Sequence, residues 1–163
     1  EQVWLMIQSF AGYSFCKAHS ASYCLVSFKS CYLKSHFPAE FMASVISNQG
    51  GYYSVESYLD EVRRMGLKVF PPCVQESEYF YQAQGEGIRV GLMQVKGIHR
   101  KTLDKIFKAR EQHPYRDLED FLFRSDISFS DAKKLCRARC LNGLEKKKQW
   151  INLMWDIYFY FSA

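Results

Sequence analysis

Hydrophobic residues recur at helical spacing along most of the chain. The spacing predicts an opening helix that ends near Gly12, a second helix over about Ser20–Lys34 and a third that begins at Pro38. A fourth helix, roughly Val55–Met65, is predicted to end at Gly66, because glycine commonly follows a helix C-terminus. Later in the chain the same spacing predicts helices at about Arg100–Arg110, Leu118–Phe123, Asp131–Leu141 and Lys146–Phe159.

The stretch from residue 67 to residue 95 has a different pattern. The run LKVF, which precedes Pro71 and Pro72, is typical of a short strand. The runs EYFYQAQ, GEG and IRVGLM predict a β-hairpin with a glycine-rich turn. The whole chain is therefore predicted to be mainly α, with one small β-hairpin insertion.

Basic residues are concentrated in one part of the chain. The net charge is +5, and 15 of the 22 lysines and arginines lie within residues 94–150. A basic segment on a nearly neutral body suits a polyanion such as nucleic acid or a membrane surface, although solvated helix faces have the same composition. Aromatic residues make up 17% of the chain, and their rings suit either a packed core or a surface on which bases stack.

The six cysteines show no CxxC pair, and no histidine completes a zinc spacing around Cys136 and Cys140. Cys24 and Cys31 lie seven residues apart in a helical stretch, where free cysteine behaves as a small core residue. Reduced structural thiols and no metal site are therefore predicted. The chain begins with Glu1, without a signal-peptide pattern, and its apolar end is too short to cross a bilayer. These features favour a fragment of a longer protein, without membrane association.

The most informative segment for function is GLMQVKGIHRKTLDKIFKAR, residues 91–110. It predicts a short apolar helical turn, a tight turn at Gly97 and then an amphipathic helix with basic residues outside, which is the layout of a helix-hairpin-helix element. Glycine before a helix exposes backbone N–H groups to a DNA phosphate. The residues predicted to contact DNA are Val95, Lys96, Gly97, Ile98, His99, Arg100, Lys101 and Lys105.

Two features limit this interpretation. A second glycine is usual in such hairpins, and His99 takes its position here, so a plain packing corner between helices remains an alternative. A poorer second copy follows in LEDFLFRSDISFSDAKKLCRARCLNGL, whose Ser125–Ser128 turn contains no glycine. We expect this copy to pack against the first hairpin rather than to grip phosphate strongly.

Candidate catalytic groups are scarce. The sequence contains no phosphate-binding glycine loop, nucleophile elbow or HExxH motif. The acidic residues Glu56, Asp60 and Glu61 lie beside Arg63 and Arg64, where ion pairing explains them better than metal binding does. No catalytic residue is predicted.

Four stretches, taken in order, resemble the C-family bacterial DNA polymerases, which comprise the alpha subunit of DNA polymerase III and its error-prone relatives. The stretches are FAGYSFCKAHSASYCLVS (10–27), YLKSHFPAEFMASVISNQGGYYS (32–54), DEVRRMGLKVFPPCVQESEY (60–79) and IRVGLMQVKGI (88–98). Their order and spacing match the family, and they cover nearly the whole chain.

The resemblance implies roles that composition and spacing do not provide. The first stretch looks like the fingers helix that faces the incoming nucleotide, which implies nucleotide contacts by Lys17, His19, Ser20 and Tyr23. The hairpin looks like the family's helix-hairpin-helix element, which holds duplex DNA. The family's Mg²⁺-binding palm and its contacts with the sliding clamp and other replication subunits would lie outside this chain. We therefore expect no cofactor here, no polymerisation by the chain alone, and a bacterial, cytoplasmic, nucleoid-associated parent.

These inferences combine into one organisation. We predict a helical fingers segment (1–66), a β insertion (67–95), a helix-hairpin-helix lobe with a degenerate second copy (96–145) and a linking helix (146–163). The predicted function is nucleotide-side contact and sequence-independent duplex binding within a DNA polymerase. The alternatives are a free-standing DNA-binding module and a structural interaction domain with solvated helices.

Overall fold

The computed structural model describes residues 2–14, 17–48, 51–145 and 148–162. The chain divides into two compact units, Glu1–Pro38 and Ala39–Ala163. The first unit contains two helices, α1 (Gln2–Ser14) and α2 (Lys17–His36). Cys16 and the Gln49-Gly50 dipeptide that follows α3 lie outside the described residues.

The second unit is mainly helical, as predicted. Its helices, over the described residues, are α3 (Pro38–Asn48), α4 (Val55–Arg64), α5 (Arg100–Gln112), α6 (Leu118–Ser125), α7 (Phe129–Arg137) and α8 (Trp150–Ser162). A short 3-10 helix, Leu92–Gln94, precedes α5. The mainly α fold class is thus confirmed, and the helix bounds differ from the predicted ones by a few residues at each end.

The β insertion is a three-stranded sheet built from β1 (Lys68–Phe70), β2 (Gln82–Gln84) and β3 (Gly87–Arg89). The central strand β3 runs antiparallel to β2 and parallel to β1, with Ile88 opposite both Val69 and Ala83. Each strand has three residues, so the observed hairpin of β2 and β3 is shorter than the runs EYFYQAQ and IRVGLM that predicted it.

The prediction of strand for EYFY and for LM is wrong. The backbone carbonyls of Glu78 and Tyr79 accept hydrogen bonds from Leu92 and Met93, at 2.9 and 3.1 Å. Leu92 and Met93 belong to the 3-10 helix, so these bonds do not continue the regular ladder. The consequence is that Tyr79 is tied directly to the turn that leads into α5.

Two hydrophobic cores support the second unit. One core joins α3, α4 and the sheet, with Ile46, Val62 and Ile88 fully buried. The other core joins the 3-10 helix to the four later helices, and its fully buried members include Leu92, Leu103, Ile106, Phe121, Leu135, Leu141, Leu153 and Ile157. The second core underlies both predicted hairpins and makes them one rigid platform.

The cysteines fall into two groups. Cys73, Cys136 and Cys140 are buried in the second unit. Cys24 and Cys31 are exposed, and no described residue of α2 is buried, so the prediction that these two belong to a core is wrong. The helical period shows that one face of α2 is apolar, but it does not show whether another element covers that face.

Candidate nucleic-acid interface

The first hairpin connects the 3-10 helix to α5. Gly97 has a φ of +78°, a left-handed conformation that favours glycine. Val95 is buried and Ile98 is half-buried against the core, so their side chains anchor the turn. Lys96 and His99 are exposed. At Val95, therefore, the backbone is the part of the residue that can meet a ligand.

The N-terminus of α5 differs from those of α4, α6 and α7. Those three helices are capped by side chains that accept backbone hydrogen bonds: Ser54 from Ser57, Asp117 from Asp120 and Ser128 from Asp131. The N-cap of α5 is His99, whose side chain makes no capping hydrogen bond to any described residue. The first turn of α5 carries Arg100 and Lys101 and no acidic residue. Its backbone donors and the positive end of its dipole are therefore left for an external acceptor.

The second hairpin, between α6 and α7, has a positive-φ residue and a helix N-cap 29 residues after those of the first: Asp126 corresponds to Gly97, and Ser128 to His99. Asp126 stands at the position of Gly97, with a φ of +45°. Aspartate tolerates this left-handed conformation better than most residues because its short side chain can bond locally. The predicted degenerate second copy is confirmed, and in it Asp126 adopts the positive-φ conformation that Gly97 adopts in the first hairpin.

Each hairpin turn is held by a lysine from the other hairpin. Lys134, on α7, donates to the carbonyl oxygen of Gly97 at 2.6 Å. Lys105, on α5, donates to the carbonyl oxygen of Asp126 at 2.8 Å and to its carboxylate at the same distance. Each lysine lies six residues after the N-cap of its own helix, so the exchange is symmetric.

The equivalent positions Thr102 and Asp131 also meet, because the Thr102 hydroxyl donates to the Asp131 carboxylate at 3.0 Å. Sequence reasoning assigned Lys134 only to a general basic face and did not single out Thr102 or Asp131. The 29-residue offset could have paired the residues, but only the fold shows that the two turns exchange contacts.

The second hairpin satisfies its own helix N-terminus. Burial alone would raise the pKa of Asp131, but hydrogen bonds from Lys134 and Thr102 outweigh it and hold the pKa below the usual value. The carboxylate stays ionised, and Ser128 caps the same turn. An incoming phosphate would meet a fixed negative charge here, whereas the first turn of α5 carries none.

The other side chains predicted to contact DNA differ in whether they already bond within the protein. Arg100 is bonded to Asp104 at 2.9 Å, and its guanidinium lies 3.9 Å from the centre of the Tyr79 ring. Lys101 is exposed on the same turn of α5. The pKa of Glu56 lies below its usual value because its own backbone N–H and the Ser54 hydroxyl bond to it, and Lys96 adds a weaker attraction.

The predicted nucleotide-contact residues of the first unit lie in the first two turns of α2. Lys17, His19 and Tyr23 are exposed, and Ser20 is half-buried. The rings of His19 and Tyr23 are in edge contact, with centroids 4.5 Å apart. The structure thus brings the residues together on one short stretch of helix rather than in a loop.

Ion pairs account for the acidic residues of α4. Asp60 pairs with Arg63 at 2.6 Å and Glu61 with Arg64 at 3.5 Å. Within the described parts of the chain, no group of three or more His, Cys, Asp or Glu side chains could hold a metal ion. Across those same residues, no helix combines the length and the apolar character needed to cross a bilayer.

The sequence of this chain matches a known protein family. The family described as a helix-hairpin-helix motif matches residues 66–150, just over half of the chain. This chain belongs to the helix-hairpin-helix family. The matched range contains the sheet, both hairpins and the helices that carry the reciprocal lysine contacts.

Relatives of this helix-hairpin-helix chain are bacterial DNA polymerases. The chain is 39% identical over 141 residues to DNA polymerase III subunit alpha of Pseudomonas fluorescens, covering 85% of this chain and 12% of the relative. It is 34% identical over 163 residues to the error-prone DNA polymerase of Bdellovibrio bacteriovorus, covering 96% and 15%. It is 38% identical over 128 residues to the alpha subunit of Escherichia coli K12, covering 77% and 11%. The resemblance to C-family polymerases is confirmed, and the chain spans only 11 to 15% of these relatives' length.

Proposed function

We propose that the second unit binds the phosphate backbone of duplex DNA, without reading its sequence, as part of template-directed DNA synthesis. The observation that carries this proposal is the N-terminus of α5, which has no side-chain cap among the described residues and no acidic residue in its first turn. Gly97, in the left-handed conformation, forms the tight turn just before this helix N-terminus.

Phosphate is the ligand that fits this arrangement. Backbone N–H groups at the start of a helix donate hydrogen bonds to a bound anion, and the helix dipole favours the negative charge of that anion. Lys96, Lys101 and Arg100 add cations around the turn. Arg100, the only guanidinium among them, is already bonded to Asp104 and lies over the Tyr79 ring, so the contacts proposed here go to phosphates, which carry no sequence information. The binding is therefore indifferent to base sequence.

The second hairpin supports the first instead of duplicating it. Lys134 holds the Gly97 carbonyl, and Asp131 occupies the N-terminus of α7 with an internal charge. With one phosphate-binding turn, stabilised by the second hairpin, we expect the isolated chain to bind DNA weakly. A larger assembly would strengthen the binding by adding contacts to the DNA.

The first unit is proposed to contribute on the nucleotide side. This proposal rests on the resemblance of residues 10–27 to the polymerase fingers helix and on the relatives' names. In the second unit, by contrast, the proposal rests on geometry as well. The exposed Lys17 supplies a cationic group for a triphosphate, and the exposed His19 supplies a ring N–H donor beside it.

The test is the salt dependence of duplex binding, measured by fluorescence anisotropy. A hairpin that meets two to four phosphates gives a log K against log salt slope of about −2 to −4. Lys101→Ala is expected to flatten the slope by about one unit, equally on unrelated duplexes. A Lys101→Ala protein with unchanged affinity and slope would leave the hairpin as a packing corner between helices.

A further inference from the structure

A groove between α7 and α8, the α7–α8 groove, takes no part in the proposed phosphate contacts. Its volume is about 410 Å³. Its lining includes Phe129, Lys133 and Arg137 of α7 and Trp150, Met154 and Trp155 of α8. Aromatic residues, methionine and arginine are the side chains that protein–protein interfaces favour. Trp155 is 59% exposed, and exposed apolar side chains gathered on one face mark an interaction surface.

The packing of the two helices fixes the shape of the groove. Leu153 and Ile157, on the inner face of α8, are fully buried in the core. The Cys136 thiol of α7 donates to the carbonyl oxygen of Trp150, at 3.3 Å. A groove whose walls are already in place loses little conformational entropy when it binds a ligand, and this favours affinity.

The charged groups that line the groove are both cations. Phe129, Lys133 and Arg137 follow one another at intervals of four residues, so they lie on one face of α7. The Lys133 ammonium lies 5.2 Å from the centre of the Phe129 ring, and Arg137 is exposed. The apolar lining of the groove is therefore edged by two positive charges.

The acidic residues of the two helices are engaged elsewhere. Asp131, the acidic residue of α7, pairs with Lys134 at 2.8 Å. Asp156, the acidic residue of α8, pairs with Lys148 at 3.1 Å. Among the described residues, none forms an ion pair with the two cations of the groove. An external partner that complements this surface therefore carries negative charge.

We propose that the α7–α8 groove binds a short acidic peptide segment of a partner protein. Apolar side chains of that segment enter between the rings of α7 and α8, and its carboxylates pair with Lys133 and Arg137. The apolar contacts supply most of the affinity, and the ion pairs set the orientation and the choice of partner. This role is separate from the proposed phosphate contacts of the Gly97 hairpin.

Other occupants complement the groove less well. A second copy of this chain, packed on the same surface about a two-fold axis, would bring Lys133 and Arg137 against their own equivalents. A DNA strand would meet an apolar lining with only two cations. Helices that lie on a membrane surface are rich in lysine and arginine, whereas α8 contains neither.

The test starts from the whole chain and a phage-displayed library of random peptides of about twelve residues, long enough to span such a groove. Selection on the wild type is combined with counter-selection on Trp155→Ala, whose folding is checked by circular dichroism. The selected peptides are expected to contain more aspartate and glutamate than lysine and arginine, together with aromatic or aliphatic residues. A library that yields no Trp155-dependent peptide, or only basic ones, overturns the proposal.

Charge exchange then tests the two cations. One selected peptide is labelled with fluorescein and titrated by anisotropy. Arg137→Glu is expected to weaken its binding by about ten-fold or more, because repulsion replaces attraction. The same peptide with lysine at its acidic positions should bind Arg137→Glu better than it binds the wild type. Misfolding does not produce such an inversion, and its absence overturns the ion pairing.

Lys108→Glu is the matched control, since it reverses an exposed cation on α5, outside the groove. It should leave peptide binding unchanged. If it weakens the binding as much as Arg137→Glu does, the peptide responds to the net charge of the protein rather than to the groove, and the proposal is overturned.

The other occupants give different results in place of the charge inversion. A wild-type dimer in light scattering that Trp155→Ala makes monomeric assigns the groove to a second copy. Sedimentation with phosphatidylglycerol vesicles that Trp155→Ala abolishes assigns it to a membrane. Loss of duplex affinity in Arg137→Glu, without peptide binding, assigns it to DNA. Each of these results overturns the peptide role. The peptide titrations contain no DNA, so their failure leaves the proposed phosphate contacts standing.

Discussion

The Nζ atom of Lys134 lies 2.6 Å from the carbonyl oxygen of Gly97, so a helix of the second hairpin holds the turn of the first. The same ammonium donates to Asp131 at 2.8 Å. Both acceptors of Lys134, the Gly97 carbonyl and the Asp131 carboxylate, belong to the two hairpins. The Lys134 side chain is 35% exposed. Its main role is therefore structural, and its substitution should reach the phosphate site through the Gly97 turn.

Lys134→Met is expected to lower the free energy of unfolding by about 1–2 kcal/mol, because it removes a charged hydrogen bond and leaves Asp131 with one donor fewer. Urea denaturation measures the loss. Lys68→Met is the matched control, since its pair with Glu86 is exposed on both sides, and it should cost no more than about 0.5 kcal/mol. Equal effects of the two substitutions would contradict the bracing role.

Gly97→Ala is expected to destabilise the protein by about 1–2 kcal/mol, because a side chain is strained at a φ of +78°. Its Cβ would meet Lys134 at 3.6 Å, which is ordinary contact, so the backbone causes the cost. Gly66→Ala is the control, with a φ of +79° and no described atom within 4 Å of the added Cβ.

The two glycine variants should lose similar stability in urea denaturation, but only Gly97→Ala should lose duplex affinity in anisotropy titrations. A loss of affinity in both, or in neither, would show that the Gly97 backbone does not approach the DNA.

The cysteines are expected to react at very different rates. Cys24 and Cys31 are exposed, whereas burial raises the pKa of Cys136 to about 11 and that of Cys140 to about 12. Because the thiolate is the reactive form, iodoacetamide at pH 8 should label the first pair in the folded protein and the second pair only in urea. Peptide mass spectrometry measures the labelling, and rapid modification of Cys140 without denaturant would contradict the buried core.

Stability is expected to fall in alkaline solution. Burial raises the pKa of Tyr81 and Tyr115 to about 12, and it also raises the pKa of the Cys136 thiol to about 11 and that of the Cys140 thiol to about 12. In the unfolded chain thiols ionise near pH 8.5 and phenols near pH 10. The stabilisation is fully present below those values and is lost as pH rises toward about 12, since the unfolded state then binds fewer protons.

Urea midpoints measured from pH 7 to pH 11 test this dependence. The double variant Cys136→Ala, Cys140→Ala should show a flatter profile between pH 8.5 and 10, where only thiols titrate. An unchanged slope in that range would mean that these thiols ionise in the folded protein as they do in the unfolded chain.

Local sequence determined the helices and the first hairpin. Apolar spacing located α3 to α8 within a few residues, and Gly97 before a basic amphipathic run indicated a turn entering a helix. These features depend on neighbours in sequence, where backbone propensity and helical period act directly. The three strands also lie inside the predicted runs. The strand prediction for EYFY is wrong, because this run has strand composition but Glu78 and Tyr79 bond to residues of the 3-10 helix.

Tertiary structure decided which residues are free to act. Lys105 and Lys134 look like ordinary surface cations in sequence, yet each holds the turn of the opposite hairpin. Cys24 and Phe28 follow a core-like spacing on a helix that buries no described residue. Burial and cross-contacts depend on residues 20 to 40 positions away, and the local pattern does not specify which of those positions will meet.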